Sequence, residues 1–215
     1  MTPETLVSLI AFAFVTSITP GPNNAMLFAS GVNFGLRRTL PHILGVSIGF
    51  TFMQLALGLG VGLAFEAFPS LYTILRVAGA GYLLYLAWRI AASTPPAVPE
   101  RAAQRPGSRS VGARPMTFLQ ATAFQWVNPK ALMMCITAAS TFTPKDHPTL
   151  GVLIICGVYL VVNFPCVGAW AALGTALRGL LQDRTRLRVF NVSMALLLVV
   201  SMAPMVRDLV QEGLF

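Results

Sequence analysis

From Thr5 to Leu36 the chain carries no charged residue, and five further stretches are charge-free or nearly so: 41–65, 70–92, 116–142, 149–177 and 188–209. Each is at least about the 20 residues that a helix needs to cross a hydrocarbon core. A soluble fold cannot cover so much apolar surface. The 215 residues are 55% hydrophobic and only 10% charged, with a mean hydropathy of +0.71, which is far from the balance of a soluble domain. The alternation expected of an outer-membrane barrel strand is missing, so the spans are read as helices. The expected class is an all-α integral membrane protein with six transmembrane helices embedded in the lipid bilayer.

Glu4 stands where a signal peptide would carry a basic region, and no small-residue cleavage site precedes Thr19-Pro20, so the first span is expected to stay attached. The net charge of +8 is confined to particular loops, and nucleic acid is not an expected partner. With the N-terminus outside, the inner loops hold Arg37, Arg38, Arg89, Arg101, Arg105, Arg109, Arg114, Arg178, Arg184, Arg186 and Arg188, whereas the outer segments hold only Lys145 and Arg207. That asymmetry predicts both termini outside and the long loop in the cytoplasm of a multi-pass protein of the bacterial inner membrane. Arg76, early in its span, is expected to snorkel. Cys135, Cys156 and Cys166 all fall in apolar spans without CxxC spacing and read as buried, inert thiols. No cofactor and no metal are expected.

The one low-complexity stretch, "STPPAVPERAAQRPGSRSVGARP" from Ser93 to Pro115, reads as a flexible cytoplasmic linker. It divides the chain into a first three-helix repeat, 1–92, and a second, 116–215. Three is odd, so the second half enters the membrane reversed, which is the arithmetic of an inverted repeat. The halves share a feature that supports this. The first helix is broken at Pro20-Gly21-Pro22-Asn23-Asn24, and the fourth is interrupted within "QWVNPKAL", Gln125 to Leu132, around Asn128-Pro129-Lys130. Small residues at close-packing spacing, such as Gly31 with Gly35, Gly45 with Gly49 and Gly58 with Gly62, read as packing inside one protomer, with a homodimer face as the alternative.

A proline lacks the N–H that would bond the carbonyl four residues earlier, so Pro20 and Pro22 release Thr16 and Ile18, and Pro129 releases Gln125. Such groups persist at membrane depth only inside protein or along a wet cavity. The helix restarting after Pro22, with Asn23 or Asn24 able to cap it, aims its partly positive end at the same region. Free N–H groups suit a carboxylate, and freed carbonyls and Asn side chains suit an ammonium. An amino acid has both.

Lys130, near the middle of a span, costs at least about 2.5–3.5 kcal/mol to insert. All seven acidic residues lie in loops or at span ends, so Lys130 has no evident carboxylate partner in its own chain. Three uses stay open: pairing with a substrate carboxylate, bonding freed carbonyls, or losing its proton through desolvation. Alternation between the first and third would couple transport to protons. The same lack of acids argues for a small neutral substrate. Gln54, Gln120 and Asn163 read as interhelical hydrogen-bonding groups; Asn163, beside Pro165, is the one added to the candidate site, because that proline is expected to break the fifth helix. His42, following a proline, is expected at a cap or interface.

The stretches "SITPGPNNAMLFASGVNFGLRRTLPHILGVSIGF" and "FLQATAFQWVNPKALMMCITAASTF", with "AGAGYLLYLAWRIA" between them, resemble the signatures of the LysE/RhtB superfamily of bacterial amino-acid exporters. On PGPNN and Leu86-Ala87-Trp88 the chain is most similar to exporters of the cysteine and O-acetylserine type. The resemblance implies ion-driven efflux of amino acids, with Pro20, Gly21, Pro22 and Asn23 matching the first motif and Asn128, Pro129 and Lys130 the second. Some members carry an acidic residue in the fifth span, where this chain has Asn163. An intramembrane enzyme would need a nucleophile and base at depth, and no buried acid or mid-span histidine is expected. The remaining rivals are a scaffold, an exporter of another metabolite, and a channel.

Overall fold

The computed structural model describes residues 1–61, 69–92, 114–179, 183–200, 203 and 207. The helices are α1 (Pro3–Ile18), α2 (Pro22–Phe34), α3 (Leu36–Ala56), α4 (Pro69–Ala91), α5 (Phe118–Gln125), α6 (Pro129–Phe142), α7 (Pro148–Leu177) and α8 (Arg184–Val200). No strand occurs among the described residues. The linker except Arg114 and Pro115, the glycine at 62 and the end of the sixth expected span lie outside them, as does the side chain of Arg76.

Local chemistry accounts for most helix boundaries. The Thr2 hydroxyl accepts the Thr5 N–H at the start of α1, and Pro3 occupies its first turn. Thr117 and Gln120 form a reciprocal capping box on α5, so Gln120 serves a helix end and not an interhelical contact. Gly35, at φ 79°, separates α2 from α3 in a conformation that disfavours a side chain. Arg37 and Arg38 therefore open α3, and Pro41 and His42 lie within it, earlier than the expected start at 41. A π turn, Leu57–Val61, extends α3, with Gly60 at φ 117°.

α7 is the centre of the fold and packs on α1, α2 and α3; α5 packs on α3, and α8 on α4 and α2. One core gathers Leu27, Ile43, Leu83, Phe124, Ala171 and Leu198, and another Leu9, Phe50, Ala131, Ile155 and Tyr159. The expected break at Pro165 does not occur, because α7 runs unbroken from Pro148 to Leu177. Its neighbours hold it on three sides, so a lost backbone hydrogen bond does not become a break.

The outward faces are apolar: Val7, Phe14, Phe52, Leu119 and Val161 are all exposed. An exterior this apolar around a core that also buries polar side chains such as Gln54 and Asn191 is the signature of a fold solvated by lipid. Among the described residues, α3 continued to Gly60 and α7 are each long and apolar enough to cross a membrane, and α1 with α2, bent by 54°, would make a third span.

Of the small residues expected to pack within the protomer, Gly31, Gly45, Gly49 and Gly58 do so. A Cβ on Gly31 would lie 2.1 Å from the Ala171 carbonyl oxygen, and one on Gly174 would lie 2.2 Å from that of Phe28. α2 and α7 thus meet backbone to backbone. Gly45 and Gly49 fit against α5 in the same way, at Phe118 and Thr122. Cys135, Cys156 and Cys166 are free and buried.

Candidate functional site

The two breaks face each other. Residues 19–21 separate α1 from α2, and residues 126–128 separate α5 from α6. Lys130, in the first turn of α6, reaches across to the first break. Its Nζ donates to the Thr19 carbonyl at 2.7 Å, the Thr19 hydroxyl at 2.9 Å and the Pro20 carbonyl at 3.2 Å. Three donors meet three acceptors. Of the three uses left open for Lys130, this conformation displays the bonding of loosened carbonyls. Gly21 makes room for it, since a Cβ there would sit 2.6 Å from Lys130 Cδ.

The carbonyls at the end of α1 are covered by side chains. Thr19 Oγ1 donates to Thr16 O at 3.1 Å, Asn24 Nδ2 to Ser17 O and Thr19 O at 2.8 and 2.7 Å, and Trp170 Nε1 to Ile18 O at 3.0 Å. The second break covers its own by tightening: the N–H groups of Trp126, Val127 and Asn128 donate to Ala123, Phe124 and Gln125. The expectation of freed carbonyls is therefore corrected. Prolines removed the helical donors, and other donors replaced them, as burial at membrane depth demands.

The asparagines also differ from their expected capping role. The N-cap of α2 is Gly21, with no side-chain cap. Asn23 instead exchanges two hydrogen bonds with Gln125, at 2.8 and 3.2 Å, which ties the breaks together, and Asn24 holds the end of α1. Replacing Asn23 and Gln125 by Ala, singly and together, should give a coupling energy of about 0.6–1.7 kcal/mol when unfolding is followed in mixed micelles; additive losses would show that the pair contributes nothing as a pair.

A cavity of about 20 Å³ lies at the junction, lined by Ser17, Gly21, Asn23, Asn24, Asn128, Lys130 and Asn163 among others. Asn163 Nδ2 donates to Ser17 Oγ at 3.1 Å. Its Oδ1 and that of Asn128 are buried without a partner among the described residues. Orphan acceptors of this kind cost about 1–3 kcal/mol each. Among the described residues, no acidic one lines the cavity. Of the expected site residues, Gly21, Asn23, Asn24, Asn128, Lys130 and Asn163 line it; Pro20 contributes a carbonyl to Lys130, Gln125 holds Asn23, and Pro22 and Pro129 start the two helices.

Ser17, Thr19 and Trp170 were not anticipated. Trp170 offered a signal, because a buried indole N–H in an apolar span needs an acceptor. His42 is corrected too: it is buried, at 1% exposure, in α3.

Helix ends that converge on a cavity lined by asparagines and a lysine, within an outwardly apolar helical fold, are the arrangement that membrane transporters use. The chain belongs to the LysE type translocator family, whose model matches residues 14–205. It is 33% identical over 205 residues to the cysteine/O-acetylserine efflux protein of Salmonella typhimurium, covering 93% of this chain and 96% of that one. It is 32% identical over 202 residues, with the same coverage, to the protein of that name from Escherichia coli K12. No solved structure matches the chain. The protein is thus a translocator, and the enzyme and scaffold readings fall away.

Proposed function

We propose that the protein exports small neutral amino acids or their derivatives, of the cysteine/O-acetylserine or the homoserine/threonine type, across the bacterial cytoplasmic membrane. The observation that carries this reading is the tethered ammonium of Lys130 among the Thr19 and Pro20 acceptors, beside two orphan amide oxygens. A substrate ammonium can take over those acceptors, and the released Lys130 can then meet the substrate carboxylate. The first turns of α2 and α6 supply N–H groups to the same carboxylate, since the opening residues of a helix have no intrahelical acceptor. A lining without an acid among the described residues disfavours cationic side chains as cargo. The relatives' printed function supports export and the cysteine-type substrate.

The proposal includes proton coupling through Lys130, six spans arranged as inverted repeats 1–92 and 116–215 around a cytoplasmic linker, 93–115, and both termini outside. A homodimer is compatible with it, although the small-residue stripes are used within the protomer. The test is efflux from cells preloaded with labelled cysteine, O-acetylserine, homoserine or threonine. Expression of the chain should speed the loss of at least one of them over empty cells. Equal loss of all four, with the protein shown to be in the membrane, would overturn the reading.

A further inference from the structure

A second cavity, of about 60 Å³, lies at the other end of α2 and shares no lining residue with the first. Ser30, Asn33, His42, Arg89, Arg114 and Met116 are among its lining residues. At about 10–15 Å³ per water-sized position it holds roughly four to six such positions, enough for a small polar group. Asn24 of the first cavity and Asn33 of the second stand nine residues apart on α2, about 13.5 Å along its axis at 1.5 Å per residue.

Part of its polar lining has no partner among the described residues. His42 is 1% exposed, and neither ring nitrogen has a partner among the described residues. Asn33 donates to Ala29 O at 2.8 Å and Asn191 Oδ1 at 3.1 Å, while its own Oδ1 is orphaned. Three unpartnered buried atoms at one cavity exceed what helix packing requires. Among the described residues Arg89 and Arg114 line the cavity and no acidic residue does, and Arg37 and Arg38 open α3 just before His42. Arg89 is positioned by the Arg114 carbonyl at 3.3 Å and by the Tyr85 ring at 5.9 Å.

We propose that this cavity is a small-carboxylate site at the arginine-rich end of the fold. The His42 imidazole N–H and the Arg89 guanidinium bind the carboxylate, and Asn33 Oδ1 accepts from an amino group beside it. Under the export reading, on which only the identity of the solute rests, it is where an amino acid docks before moving along α2 to Lys130.

The chain has two histidines, and the second, His147, is exposed ahead of α7. A His147→Gln chain made with isotopically labelled histidine therefore reports on His42 alone by NMR. Acetate, cysteine and O-acetylserine should each shift the imidazole signals saturably, and chloride and ethylammonium should not. The acetate shift should survive Lys130→Met, whereas Arg89→Gln should weaken it by about tenfold or more in apparent Kd. No shift with acetate up to roughly 50 mM, where even a millimolar site would be filled, or an equal shift with chloride, would overturn the proposal. Acetate binding at His42 in a protein that exports nothing would leave this site standing and remove the export reading. Export with an unmoved His42 would do the reverse.

Discussion

A Lys130→Met chain should insert in the membrane and export its solute at least about a hundredfold more slowly than the wild type. Methionine keeps most of the apolar stem, one atom shorter, but removes the three donors that reach Thr19 and Pro20. In the proposed cycle the Lys130 ammonium leaves Thr19 and Pro20 for the substrate carboxylate, and losing two charge-assisted hydrogen bonds to it, at about 1.5–3 kcal/mol each, already gives that factor. Thr19 O keeps its bond from Asn24, so the break is loosened without being stripped. Lys130→Arg should not restore the rate, because the stem lies tight against Gly21 and a planar fork cannot occupy the place of a compact ammonium. The measurement is initial efflux per inserted molecule, with insertion quantified separately. Wild-type rates in Lys130→Met would remove this residue from the mechanism.

Gly31→Leu should prevent accumulation of folded protein altogether. Even Gly31→Ala should cost about 3 kcal/mol, at the upper end for overpacking, because the new methyl meets a backbone carbonyl and not a movable side chain. Gly174→Ala should behave alike, since it faces the Phe28 carbonyl in the same helix pair. Gly81→Ala is the internal control: a Cβ there meets nothing within 4 Å and should be neutral or slightly stabilising. Thermal melting in detergent, read by loss of the monodisperse species, separates the three alanine variants. Equal melting temperatures would show that α2 and α7 can part without cost.

Much of the site was legible because prolines act locally. Pro20, Pro22 and Pro129 marked both breaks, since each removes a donor at a fixed offset, and their depth in apolar spans made them conspicuous. The partners of the breaks were not legible. Which side chain covers Ile18 O depends on α7 lying against α1, and sequence spacing says nothing of a contact 152 residues apart. Pro165 shows the limit from the other side, because the residue type that broke two helices left a third intact where packing holds it. His42 misled for a related reason. Its neighbour Pro41 suggests a helix end, but Gly35 had already started the helix six residues earlier, so the imidazole lies inside the fold.

The bond between Lys130 and Thr19 spans 111 residues of chain. During translation the first half of the protein therefore enters the bilayer long before its donors exist. Until α6 and α7 have been synthesised and have turned into place, the end of α1 has neither Lys130 nor Trp170 to cover it. Until the second half arrives, water is the donor left to the Ile18 and Pro20 carbonyls, so the break is expected to stay hydrated until then.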